Sequence, residues 1–401
     1  MNNIKVKKLY SLIILLLPVL AQYSFFSGNL DFDVIAMALL FAVIFITPHR
    51  TARADIFFCL LFFYTFFITT VNILSGTAFA GTLSVVMRAG RYLLYIFITI
   101  VWGKDSVFDY EITMNIYRKI AYAALIYIVF QTVFYYIFHI VLPNKIGGSI
   151  AAAGENMGRL RAFYSEPADM SYSLIPFICC SLFGPAYRAN DRRVTDAMSV
   201  SVAVALTTSG QGIICISIVW ALWFVINIST GKLSGKYVGI LISVCAAVII
   251  LYKYGILEFA LGRVMDNSGH GAVSARASGY VTFSLLTPLQ WIFGAGYGNY
   301  VTKNIYGLNV PYEFVNYSSL AEQIFTTGIV GTCFLFLYLF YGFMKGKTCQ
   351  RIIICAVLFL MAGGCPLSGK YLPIYFSFIF CGCGKPDAAP QFQNSMMRRQ
   401  G

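Results

Sequence analysis

Arginines in apolar or aromatic surroundings are the residues of this chain best suited to chemistry. Arg88 and Arg91 stand three apart in an apolar run that holds no acid, and residues three apart on a helix share a face. If that run enters from the side of Thr82, Arg91 lies about nine residues, or ~14 Å, below the surface. A guanidinium at that depth needs an anion, either a protein carboxylate such as Asp169 or Glu322 or a ligand phosphate. Arg159, Arg161, Glu166 and Asp169 fall together in Arg-Leu-Arg-Ala-Phe-Tyr-Ser-Glu-Pro-Ala-Asp. A guanidinium fork donates two hydrogen bonds at once, which suits a phosphate. The same segment also reads as a plain helix start, with Ser165 as N-cap, Pro167 in the first turn and Glu166 at the positive dipole end.

Arg263 and Arg276 precede Trp-Ile-Phe-Gly-Ala-Gly-Tyr-Gly-Asn-Tyr at 291–300. Its G-x-G-x-G spacing is not a dinucleotide fingerprint, and its glycines read as a tight turn and close backbone packing. Tyr280 belongs to the aromatic and polar residues of this stretch, which could stack against a sugar. His270, between two glycines, could serve as a base or simply be solvated. Asp31-Phe-Asp33 could hold a metal, but it reads first as a solvated loop opening a helix. No HExxH and no histidine pair with metal spacing occur, so no metal and no cofactor is expected. Eleven cysteines, almost all in or beside apolar runs, do not form a disulfide framework, and Cys381-x-Cys383 is not a CxxC pair.

These residues must be positioned by membrane helices. Of 401 residues, 59% are hydrophobic and 11% charged, against about 25% charged in a soluble domain. Mean hydropathy is +0.74. An ordinary soluble enzyme and a disordered chain are excluded, and the long continuous runs do not suit a transmembrane barrel. The fold class expected is an all-α polytopic membrane protein of about twelve spans, at 9–26, 34–47, 56–74, 82–101, 116–142, 168–187, 195–208, 213–228, 237–255, 317–343, 351–364 and 371–383. The first reads as a retained span rather than a cleaved signal. With the N-terminus inside, 19 of 29 basic residues are cytoplasmic, the inner net charge is +12 and the outer +1. The formal charge of +13 is thus an orientation signal, and nucleic-acid binding has no support. Residues 1–385 form one integral membrane domain with two large outer loops, about 143–167 and 256–316, and 386–401 form a disordered cytoplasmic tail. The within-span arginines cluster in the outer half.

The segment Arg159–Leu174, RLRAFYSEPADMSYSL, resembles the R-x-x-x-F-x-E-P segment of bacterial O-antigen polymerases of the Wzy type. Thr207-Thr-Ser-Gly210, Arg276 ahead of the glycine motif, and Asn316-Tyr-Ser-Ser-Leu320 leading to Gly328-Ile-Val-Gly331 follow in similar order. The resemblance implies a GT-C-like inner-membrane glycosyltransferase with both termini cytoplasmic and its site at the periplasmic face. It would polymerise undecaprenyl-pyrophosphate-linked repeat units into O-antigen or a related polysaccharide, alongside a chain-length regulator and a flippase. The alternatives are an O-antigen ligase acting on lipid A core and a lipid-linked oligosaccharide flippase. Two departures are Gly210-Gln211, where an arginine often follows the serine, and Asn316-Tyr317, where ligases commonly show a histidine. On this reading Arg161 and Arg276 act in catalysis with Arg159 on the pyrophosphate, Glu166 or His270 is the base, and Asp169 orients an arginine. Arg263 and Tyr280 bind substrate, and Arg88 and Arg91 hold the second lipid pyrophosphate or shape the cavity below.

Overall fold

A computed structural model describes residues 3–25, 30–46, 55–76, 79–100, 107–148, 150–152, 160–187, 192–229, 239, 253, 278–301, 315–367 and 369–382. Its helices are α1 (Asn3–Leu20), α2 (Phe32–Ile46), α3 (Ile56–Leu74), α4 (Thr82–Phe97), α5 (Tyr110–Phe138), α6 (Pro167–Phe183), α7 (Arg193–Leu206), α8 (Gly210–Ser229), α9 (Pro288–Phe293), α10 (Ser319–Lys345), α11 (Thr348–Gly363) and α12 (Leu372–Phe380). Two short antiparallel pairs accompany them: β1 (Ser24–Phe25) with β2 (Leu30–Asp31), and β3 (Ile140–Val141) with β4 (Ala151–Ala152).

The protein is an all-α membrane protein at this level of description. Five helices are long and apolar enough to cross a bilayer, namely α3, α4 with its extension to Ile100, α5, α8 and α10. Twelve crossings were expected. Eleven of the expected segments are helical, but several are shorter than the roughly 20 residues a span needs. The remaining one, 237–255, lies outside the described residues apart from isolated positions. The first helix also begins earlier than expected. It includes Lys5, Lys7 and Lys8, and Lys7 pairs with Asp109, the N-cap of α5, at 3.1 Å.

Two helices fill the centre. Every residue of α6 from Pro167 to Leu182 is buried, and so is α12 from Leu372 to Ile379. A helix that is apolar all round has no face for solvent or lipid and must be enclosed. Helices α1, α5, α7, α8, α11 and α12 surround α6. Its interior Pro176 cannot donate to the carbonyl four residues back, that of Tyr172. The Tyr375 hydroxyl on α12 donates to that carbonyl instead, at 2.9 Å. Two of the three serines of α6 are satisfied within the helix, Ser171 on the Pro167 carbonyl (3.1 Å) and Ser173 on that of Asp169 (2.8 Å).

Polar clusters sit at the two ends. At one, Asp196 on α7 accepts from Arg118 (3.0 Å), Tyr122 (2.8 Å) and Tyr187 (2.7 Å). At the other lie the N-terminal ends of α2, α4, α6, α10 and α12, and with them the candidate site.

Candidate functional site

Arg88 and Arg91 do share one face of α4, and both line the same cavity. Their partners differ. Arg91 is gripped by the Asp-x-Asp segment: Nη1 donates to Asp31 at 2.9 Å and Nη2 to Asp33. Asp33, in the first turn of α2, is fully buried. The expected solvated loop is therefore an ion-pair latch, and neither Asp169 nor Glu322 is the direct partner of Arg91. The β1–β2 pair sets this up by presenting Asp31 as the chain turns into α2.

Arg88 is positioned by the glycine motif. Helix α10 breaks at Gly328, whose φ of 65° is left-handed. The break exposes carbonyls, and the 294–299 loop lies along them. Ala295 N–H bonds Phe325 O at 3.0 Å and Gly296 N–H bonds Thr326 O at 2.8 Å. Tyr64 of α3 donates to Thr327 O at 3.1 Å and to Phe293 O at 2.8 Å. Thr69 accepts from Tyr297 N–H at 2.8 Å, and Asn299 caps the Phe79 and Ala80 amides. Gly298 reaches so close to α4 that a Cβ there would lie 2.7 Å from that of Arg88. Its carbonyl accepts from Arg88 Nη1 at 3.2 Å, and the guanidinium rests 4.7 Å from the centre of the Tyr300 ring. The glycines thus serve close packing, as their spacing implied, and they carry Tyr297 and Tyr300 to the site.

The Arg161–Asp169 segment arrives from another side. Ala162 adopts a left-handed φ of 48°. Gln131 of α5 holds that turn: its side-chain oxygen accepts from Ala162 N–H (2.8 Å) and its nitrogen donates to Ala162 O (3.2 Å). Arg161 donates to Ser165 O at 2.9 Å. The N-cap of α6 is Glu166 rather than Ser165, with Pro167 at the first helical position as expected. Glu166 is exposed and makes no side-chain cap. Asp169, expected to orient an arginine, instead accepts from Lys370 at 2.6 Å and from Ser165. Lys370 stands just ahead of α12. Its ammonium also reaches Ser165 Oγ at 3.2 Å. Arg161 is thus linked to the cavity through Ser165, Asp169 and Lys370.

The cavity itself has a volume of about 230 Å³ and is lined by Arg88, Arg91, Tyr92, Tyr297, Tyr300, Glu322, Gly369 and Lys370. Tyr92 and Tyr297 stack 3.9 Å apart. Burial pushes the Tyr297 and Tyr300 phenols well above their ordinary range, so both remain neutral hydroxyl donors. Cations, phenols and one carboxylate around one space suit a ligand bearing both phosphate and sugar hydroxyls. A second recess, about 490 Å³ and largely apolar, lies among Val19, Tyr23, Tyr127, Pro143 and Phe163.

Tyr280 lies apart from the cavity, 3.3 Å from Ser318 Oγ and edge-on to Phe283. Arg159, Arg263, His270 and Arg276 lie outside the described residues. Tyr297 and Tyr300 belong to the aromatic stretch that the sequence offers as a stacking surface, whereas Lys370 and Tyr92 carry no such signal and Asp31 and Asp33 read first as a solvated loop. The one available signal was the depth of Arg91, which required a carboxylate from another segment. Tyr172 donates to Gln211 at 2.6 Å, and Ser319 N–H bonds Gly364 O at 2.7 Å. No protein-family model matches the chain, and no curated protein matches it in sequence.

Proposed function

We propose that the protein is a membrane glycosyltransferase that polymerises undecaprenyl-pyrophosphate-linked oligosaccharide repeat units at the extracytoplasmic face of a bacterial inner membrane. The observation that carries this reading is the cavity at one end of the helix bundle, where Arg88 and Lys370 face three tyrosines. In such a transfer the donor sugar is already activated, and the hard step is to stabilise charge on the departing pyrophosphate. Oriented guanidinium and ammonium groups at a partly dehydrated site can supply that. Arg88 spends one hydrogen bond on Gly298 and keeps further donors for a phosphate. Lys370 and, one link further out, Arg161 add positive charge. Arg159 and Arg276, with their guanidinium forks, share the pyrophosphate role.

Arg91 takes the protein-carboxylate alternative rather than the ligand phosphate. With both terminal nitrogens on carboxylates it shapes the floor of the cavity. The tyrosine faces offer stacking surfaces for sugar rings, and the apolar recess beside Phe163 suits an isoprenoid chain. The basic residues of α1, α7 and the α10–α11 junction lie away from the cavity, which fits a cytoplasmic placement for that end.

The test is reconstitution in proteoliposomes with lipid-linked repeat units supplied on the cavity side. Growth of a polymer ladder is the expected result. Movement of the lipid across the bilayer without growth points to a flippase. Transfer of preformed glycan to a lipid A core acceptor, again without growth, points to a ligase.

A further inference from the structure

Among the described residues, Asp31, Asp33, Asp169, Glu322 and the exposed Glu166 lie at this end of the bundle, and the first three are engaged. Asp31 and Asp33 hold Arg91, and Asp169 holds Lys370. Glu322, in the first turn of α10, closes no ion pair with any described residue, yet it lines the cavity. Arg88 and Tyr297 line the same cavity beside it. Tyr297 is itself fixed by its stack on Tyr92 and by the bond from its backbone N–H to Thr69. A cavity-lining carboxylate that closes no ion pair of its own, beside a cation that does not neutralise it by direct contact, is placed to accept a proton from a ligand in that space.

We propose that Glu322 is the general base of the transfer, an inference that rests on the glycosyltransferase reading above. Glu322 takes the proton of the acceptor sugar hydroxyl as that oxygen attacks the anomeric carbon of the donor glycan. The new glycosidic C–O bond forms while the bond from the anomeric carbon to the pyrophosphate oxygen breaks. The electron pair of the broken bond leaves with the lipid pyrophosphate, whose charge Arg88 and Lys370 meet. Glu322 then returns its proton to water. Arg88 and Glu322 lining one small space gives the division of labour: the cation meets the leaving group and the carboxylate meets the nucleophile. Glu166, which is exposed and does not line the cavity, is left without that role.

The experiment uses purified full-length protein in proteoliposomes with lipid-linked repeat units, comparing wild type with Glu322→Gln and Glu322→Asp. Undecaprenyl pyrophosphate is the binding probe, and thermal unfolding reports the fold. Glu322→Gln is expected to keep probe affinity within about threefold and to lose roughly 10²–10⁴-fold in kcat, the usual range for a general base. The acidic limb of its pH–rate profile should flatten. Glu322→Asp is expected to keep its fold and KM while kcat falls. Wild-type kcat in Glu322→Gln overturns the assignment. If that variant does not fold, an unchanged kcat in Glu322→Asp, or a change in KM alone, overturns it equally. An active wild type with an active Glu322→Gln variant refutes the base alone. A wild type that makes no polymer refutes the glycosyltransferase reading and takes the base with it.

Discussion

The ammonium of Lys370 lies 2.6 Å from the carboxylate of Asp169 and ties together the N-terminal ends of the two wholly enclosed helices, α12 and α6. The side chains are 24% and 10% exposed, so the pair is partly shielded from water. Asp169→Asn leaves the lysine charge unpaired. Removing one partner of a fully buried pair costs about 3–5 kcal/mol, and the residual exposure here brings the expected loss to roughly 2–4 kcal/mol. Asp169→Leu combined with Lys370→Met should recover most of that stability, because it leaves no orphaned charge. It should not recover polymer growth, since Lys370 also faces the cavity. Thermal unfolding in detergent and a polymer ladder from the same preparations separate the two effects. A double variant that grows chains at the wild-type rate would remove Lys370 from the site.

Arg88 and Arg91 are three residues apart on one helix, yet their lysine variants should differ. Arg91 bridges two carboxylates with two nitrogens, a geometry that a lysine point charge cannot reproduce. Arg91→Lys should therefore lower the melting temperature, because Asp33 is fully buried and loses part of its compensation. Arg88 makes one hydrogen bond and one ring contact. Arg88→Lys should keep the fold and slow chain growth by about 10²-fold, the scale of losing one electrostatic donor in a transition state. Melting curves and single-turnover rates on both variants test the contrast, and equal behaviour would contradict it.

These two arginines mark how far sequence reaches. Their common face follows from helical spacing, and the ends of α3 follow from an apolar run that starts after Asp55 and stops at Ser75. Helices of this kind are written locally. The partners of Arg91 are not, because an ion pair between α4 and a segment some sixty residues away leaves no periodic trace. The same holds for the contact between the 294–299 loop and the break in α10. That contact is made by backbone hydrogen bonds, which side-chain types barely encode. The glycine spacing announced a close approach without naming what was approached. Lys370 escaped notice for a related reason: a single lysine before a short apolar run has the look of a loop residue until its acid is known.

Occupied acids also decide what a chelator should do. In the Asp-x-Asp segment, Asp31 and Asp33 each already accept from Arg91, and Asp169 already accepts from Lys370 and Ser165. A divalent ion at these carboxylates would compete with the cations already placed there. Chain growth by the purified protein is expected to persist in excess EDTA and to gain nothing from added magnesium or manganese. Activity lost in chelator and restored by either metal would contradict the cation-based leaving-group scheme.

Gly328 offers the sharpest test of the link between backbone and site. Its left-handed φ is open to glycine and costs other residues about 1–2 kcal/mol. A Cβ there would also meet Ile292 O at 2.4 Å and the amide nitrogen of Gly294 at 2.5 Å. Neither atom belongs to a flexible side chain, so the clash can be relieved only by moving the 294–299 loop or the two halves of α10. Either movement displaces Tyr297, Tyr300 and the Gly298 carbonyl that holds Arg88. Gly328→Ala should therefore lower stability by at least ~1–2 kcal/mol. In the fraction that folds, it should weaken binding of undecaprenyl pyrophosphate as well as turnover. Gly90→Ala serves as the control: it sits on α4 between the two arginines, and a Cβ there meets nothing within 4 Å. That substitution should leave folding and polymer growth unchanged. If Gly328→Ala behaved like the control, the break in α10 would have no part in building the cavity.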